Sequence, residues 1–234
     1  VDMIREAMKH LHLKPEKSTA SIQGFGNVAQ YAAIAFKKKL GGKVICVSCY
    51  DRDEKQSRTF THKGGIDAEF LQSITDQYGT IDKAKAKEAG YAIEDGDAWL
   101  SKDVDVLIPA AVEGQITGEN AGNIGPRVKI VAEGANGPTT PEADDVLQRR
   151  GIFNIPDFLC NSGGVICSYF EGVQNDMNYY WDHDAVLRRL DQKITKAFQG
   201  VLEVATKKDM YMRDAAYTIA IGRVVEAMEL RGWI

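Results

Sequence analysis

The chain has 234 residues, of which 44% are hydrophobic and 26% charged, and it carries a formal net charge of −4. That length fits one large α/β domain, or one domain with a helical tail, and supplies enough apolar material for a core. The mildly acidic balance offers no basic field to nucleic acid or to an anionic membrane, and no apolar run approaches the length of a membrane span.

Ile4, Ala7, Met8 and Leu11 share one helical face, so the chain opens on an amphipathic helix that ends before Pro15. We expect no signal peptide, because residues 1–8 already follow this pattern. The chain begins without a methionine inside that periodic segment, which points to a fragment of a longer protein. A strand is expected over 19–23, followed at once by Gly24-Phe25-Gly26-Asn27-Val28-Ala29. Val28, Ala32, Ala35 and Phe36 then trace a helix closed by Lys37, Lys38, Lys39 and the pair Gly41-Gly42. Those lysines suit the negative end of the helix dipole.

A second strand is expected over 44–47. Cys46 and Cys49 form a C-x-x-C there, but an offset of three along a strand sends the two side chains to opposite faces. Buried thiols fit better than a shared zinc or a redox disulfide. With Cys160 and Cys167 also unpaired by spacing, we expect a reducing, cytoplasmic location. Residues 51–65 read as a loop or hairpin, and helices are expected over 68–78 and 81–89. Strands follow over 104–109 and 128–132, a helix over 141–150 with Pro141 in its first turn, and a strand over 152–155 leading into Pro156-Asp157-Phe158. Helices over 165–173, 185–208 and 213–231 close the chain. Strands alternating with helices predict a Rossmann-like, doubly wound α/β fold. Its sheet is mostly parallel, with helices on both faces and a C-terminal helical segment. One dinucleotide-binding domain covers 1–234: a leading helix over 1–14, the core over 18–180 and C-terminal helices over 183–234.

The glycine pattern carries chemistry because it joins a strand to a helix. Gly24 allows the tight turn, Gly26 lets the backbone approach a pyrophosphate, and the helix N-terminus presents unpaired N–H groups to it. The alternative is a plain strand-to-helix turn. A dinucleotide site commonly ends its second strand with an acid for the adenosine ribose. Here that strand ends Val47-Ser48-Cys49-Tyr50, with Asp51 and Asp53 only afterwards and Arg52, Lys55 and Arg58 close by. The cations suit a 2′-phosphate, although Asp51 remains within range of a ribose, so the cofactor is NAD or NADP with NADP ahead.

Further strings add specificity: Pro109-Ala110-Ala111, Ala132-Glu133-Gly134-Ala135-Asn136-Gly137-Pro138, Pro156-Asp157-Phe158-Leu159-Cys160-Asn161-Ser162-Gly163-Gly164, Ser168-Tyr169-Phe170-Glu171-Gly172-Val173 and Met212-Arg213-Asp214-Ala215-Ala216-Tyr217. In one collinear order with the glycine turn, they resemble the cofactor domain of glutamate dehydrogenases, members of the Glu/Leu/Phe/Val dehydrogenase family. The resemblance implies that Gly24, Phe25, Gly26, Asn27 and Val28 hold the diphosphate region, with Ser48 beside them and Ala110 and Ala111 lining the cleft. It also implies that Asn136 bonds the nicotinamide ribose, that Asn161 lies beside the nicotinamide and substrate, and that Ser168 meets the distal carboxylate of glutamate. Each has a structural alternative. Asn136 suits a turn, Asn161 a helix N-cap, and Ser168 a bond to the carbonyl one helical turn back. Asp157 and Glu171 read as structural, and His10, His12, His62 and His183 have no metal-ligand spacing.

The implied reaction is oxidation of glutamate to 2-oxoglutarate and ammonia, with hydride transfer to NAD(P). The family's water-activating lysine and proton-shuttling aspartate belong to a separate N-terminal domain, and neither motif occurs here. No catalytic residue or metal site is therefore assigned, and the chain alone is expected to be catalytically silent. A homohexamer is implied for the whole enzyme. The run from Ser48 to Arg58 is longer than the family's usual hairpin, which weakens any transfer of coenzyme preference. Rival readings are a leucine, valine or phenylalanine dehydrogenase, a methyltransferase, and a non-catalytic nucleotide-sensing module. A hydroxyl at Ser168 disfavours an apolar substrate, and the missing acid at Cys49 disfavours a methyltransferase.

Overall fold

In the computed structural model, which describes residues 1–234, the apolar runs assemble into one seven-stranded sheet. The strands in chain order are β1 (Thr19–Gln23), β2 (Lys43–Asp51), β3 (Gln56–Thr61), β4 (Ala92–Asp95), β5 (Val106–Pro109), β6 (Ile130–Ala132) and β7 (Phe153–Ile155). Across the sheet they lie β4-β3-β2-β1-β5-β6-β7. β2, β1, β5, β6 and β7 are parallel, while β3 and β4 add an antiparallel edge. The doubly wound expectation holds, and the segment left between loop and hairpin is a hairpin.

The helices are α1 (Asp2–His10), α2 (Asn27–Leu40), α3 (Ala68–Ser73), α4 (Lys83–Glu88), α5 (Pro141–Arg149), α6 (Asp157–Cys160), α7 (Gly163–Met177), α8 (His183–Lys208) and α9 (Met212–Leu230). One sheet face packs Ile22 and Val47 against Met3 and Ile4 of α1, Phe36 of α2 and Phe198 of α8. The other packs Leu107 and Val131 against Trp99, Ile124 and Leu147 of α5. β5 and β6 lie between these layers and are buried throughout, which explains why they lack polar alternation. Cys46 faces the second layer and Cys49 the first, so the two thiols share no site. Burial pushes each up to about 11, as expected of inert structural cysteines.

Local capping sets the boundaries. α2 stops where Gly41 adopts a left-handed φ of +68°. α3 ends at Ser73 instead of continuing to 78, because Asp76 accepts the Tyr78 and Thr80 amides at 2.8 and 2.9 Å and folds a turn. α4 starts at Lys83, where Asp82 caps the Ala84 and Lys85 amides. β4 and the single-turn α6 were not expected from the sequence.

After β1 the chain turns to β2 on one side and later returns to β5 on the other. Beyond the carboxyl ends of these strands a doubly wound sheet opens its crevice.

Candidate functional site

Gly24 leaves β1 with φ +93°, a conformation that disfavours any residue with a Cβ. A Cβ there would meet the Ala110 carbonyl oxygen at 3.0 Å and the Ala111 Cβ at 3.1 Å, so the turn also needs glycine for space. The Gly24 amide donates to the Ser48 hydroxyl at 3.1 Å, which ties the turn to the end of β2. Ser48 is buried, and its place is under the turn. Phe25 buries its ring in the core and turns only its backbone toward the crevice.

Gly26, Asn27 and Val28 are exposed, and the space beside Gly26 is open, with no atom within 4 Å of a Cβ built on it. Gly26 caps α2 without a side chain, and no acid stands in the first turn. The first amides and the positive dipole end of a four-turn helix therefore face the crevice unneutralised.

The opposite wall comes from the ends of β5 and β6. The Gly134 and Ala135 amides both donate to the Pro109 carbonyl, at 2.9 and 3.0 Å. A Cβ on Gly134 would meet Ala110 Cβ at 3.2 Å and Val28 Cγ1 at 3.3 Å, so this glycine lets α2 approach β6. Gly24, Val28, Ala110, Ala111 and Gly134 thus pack together at the carboxyl ends of β1, β5 and β6.

Asn161 Nδ2 donates to Asn136 Oδ1 at 2.7 Å. Asn161 closes α6, and Ser162 holds the N-cap position of α7. Asp157, the first residue of α6, accepts the Gly137 amide at 2.8 Å and fixes the loop that carries Asn136. Two amide side chains 25 residues apart in the sequence, one on the loop after β6 and one at the end of α6, are therefore brought together.

The family model for Glutamate/Leucine/Phenylalanine/Valine dehydrogenases matches residues 1–232. The chain belongs to this family. It is 43% identical over 226 residues to the glutamate dehydrogenase of Thermotoga maritima, covering 97% of this chain and 51% of that protein. It is 39% identical over 231 residues to the NAD-specific glutamate dehydrogenase of Peptoniphilus asaccharolyticus, covering 99% of this chain and 53% of that protein. The crystal structure of the glutamate dehydrogenase from Peptoniphilus asaccharolyticus matches with a TM-score of 0.81 at 37% identity, covering 100% of this chain and 52% of that one. The chain spans about half the length of the curated relatives it matches.

Asp51, expected within range of an adenosine ribose, is already engaged. Asp51 is buried in the hairpin, accepting the Asp53 and Glu54 amides at 3.0 Å each and pairing with Lys83 Nζ at 2.7 Å. The Lys83 ammonium first, and then the Glu54 amide, hold its carboxyl below the usual carboxylate range. It is not the free ribose acceptor considered above. Two of the three cations that favoured NADP are also engaged, while Lys55 is exposed: Arg58 pairs with Glu54 and Asp95, and the Arg52 guanidinium lies 4.4 Å from the centre of the Tyr78 ring. Of the charge argument for a 2′-phosphate, only Lys55 is left without such a contact.

Ser168 sits on the exposed side of α7, with Tyr169 exposed beside it. The four histidines stay apart from the cleft loops in sequence, and His62 Nδ1 lies 3.0 Å from the Gly65 carbonyl. Sequence reasoning missed Glu133 and the organising role of Asp157. Glu133 directly follows β6 and Asp157 lies two residues after β7, and that position near a strand's carboxyl end was the available signal.

Proposed function

We propose that this chain is the cofactor-holding part of a glutamate dehydrogenase, which oxidises L-glutamate to 2-oxoglutarate and ammonia. The observation that carries the reading is the cleft itself. A left-handed glycine turn and an uncapped helix N-terminus face an apolar wall at the switch point of the sheet, and a bonded asparagine pair closes the far end. The open face of Gly26 and the unneutralised amides of α2 fit a diphosphate. Gly24, Phe25, Gly26, Asn27 and Val28 would hold it, Phe25 through its backbone, with Ser48 supporting the turn from below. Ala110 and Ala111 would flank the dinucleotide, and Asn136 and Asn161 would meet its nicotinamide half. When bound, the dinucleotide supplies the hydride acceptor.

This chain's own contribution is orientation, which lowers the entropic part of the barrier. Ser168 offers an exposed hydroxyl to the distal carboxylate of glutamate. The general acid–base residues are expected from a domain outside these 234 residues. Of the two coenzymes we favour NAD. The reading is supported by the contacts that already occupy Arg52 and Arg58 and by the NAD-specific relative. Assembly as a hexamer in the cytoplasm rests on the family resemblance and on four unpaired thiols.

The test is oxidation assays of the full-length protein with glutamate or leucine, each with NAD or NADP, beside calorimetric titration with NADH. Glutamate with NAD is expected to be the fastest pair. Faster turnover of leucine would move the substrate assignment, and a protein that binds no dinucleotide would overturn the whole reading.

A further inference from the structure

The residues that hold the asparagine pair converge on one side chain from the far end of the chain. Arg213, in the first turn of α9, is only 16% exposed. It donates to Glu133 Oε1 and Asp144 Oδ2 at 2.5 Å each and to Asp157 Oδ1 at 3.4 Å. Glu133 has no exposed side-chain surface and also accepts Asn154 Nδ2 at 3.1 Å and the Asp157 amide at 2.8 Å. A carboxylate so enclosed needs a fixed cation, and a planar guanidinium is the side chain that can serve three acceptors at once. Burial alone would lower the Arg213 pKa, but the bonds to Asp144 and Glu133 outweigh it and hold the group charged.

From Asp157 the connection divides. Its Oδ2 accepts the amide of Gly137, which follows Asn136 and has φ +52°, while its backbone starts the single turn that ends at Asn161. Both asparagines are therefore anchored through the residue that Arg213 and Glu133 hold. None of these contacts reaches the Gly24–Gly26 turn.

We propose that Arg213 is a positioning residue that, through Glu133 and Asp157, fixes Asn136 and Asn161 for the nicotinamide half of the dinucleotide and leaves the adenosine-diphosphate half unaffected. This inference rests on the cofactor assignment above. A purely structural role would weaken the whole cleft; a positioning role weakens one half of the ligand.

The experiment compares NADH with ADP-ribose, which lacks the nicotinamide, by titration into the full-length protein. Wild type is expected to bind both. Arg213→Met is expected to weaken NADH about tenfold while changing ADP-ribose less than about twofold. Arg213→Lys keeps the charge but not the fork and is expected to fall between the two. Asp157→Ala frees the Gly137 amide while leaving Arg213 beside Glu133, and it is expected to show the same split. It decides the matter if Arg213→Met does not fold. Equal loss of both ligands in a folded variant, or no loss of either, overturns the positioning role. A wild type that binds neither ligand overturns the cofactor assignment, and the positioning role falls with it.

Discussion

The two ends of the cleft are built by opposite means. At the β1–α2 end the contacts are backbone amides and small residues, with no charged side chain in the first turn of the helix. At the β6–β7 end two asparagine side chains are backed by an arginine and three carboxylates drawn from three helices and the residue after β6. The contrast follows from what each end would bind on the proposed reading. A diphosphate is an anion that accepts N–H groups from many directions, so a helix terminus suffices. A carboxamide ring must be oriented, which takes side chains whose own rotamers are fixed by a second layer. A backbone site should therefore tolerate distant substitutions, and a side-chain site should not.

The largest expected effect lies in that second layer. Glu133→Ala removes an acceptor shared by Arg213, Asn154 and the Asp157 amide, and leaves those donors buried without it. Breaking such a network typically costs about 3–5 kcal/mol, which urea unfolding of the variant would read directly. A loss below about 1 kcal/mol would match a solvent-screened surface pair instead, and the contrast between the two ends would then dissolve.

The same contrast explains what was legible in the sequence. β1, the glycine turn and the apolar β5 and β6 are local patterns, so they could be read from adjacent residues. The Arg213 network joins residues as far apart as 133 and 213, and nothing in either neighbourhood marks the pairing. Arg213 was visible only as part of a family string. The antiparallel edge was half legible. β3 follows a turn-rich run, but β4 is a short, mostly exposed edge strand with two acids in four residues, so it lacks the alternation that signals a half-buried strand. Charge at the hairpin was only partly legible for a related reason: a cation in sequence is not a free cation once Arg58 has found Glu54 and Asp95.

A middle-sized effect is expected at Gly24, where conformation and space act together. Gly24→Ala places a Cβ at φ +93°, against the Ala110 carbonyl and Ala111. Strain of this kind costs about 1–3 kcal/mol. The variant should lower the unfolding midpoint and weaken ADP-ribose together, because relieving the clash moves the turn itself. Unchanged ADP-ribose affinity in a destabilised variant would separate the turn from the ligand.

Gly26→Ala is the smallest expected change in stability and the sharpest probe of the backbone end. Gly26 has φ −78° and ψ −171°, ordinary extended geometry that alanine adopts freely, and its Cβ would enter open space. Alanine is a poorer N-cap than glycine, but it also restricts the unfolded chain, so the two effects offset and stability should move by less than about 0.5 kcal/mol. A ligand would not share that indifference. The added methyl occupies the approach to the first amides of α2, so a diphosphate seated there should bind about tenfold more weakly, for NADH and ADP-ribose alike. That joint loss, without any loss of stability, is the reverse of the split expected at Arg213. Should Gly26→Ala bind both ligands as wild type does, the open face of that residue is solvent, and the glycine end of the cleft is only a turn.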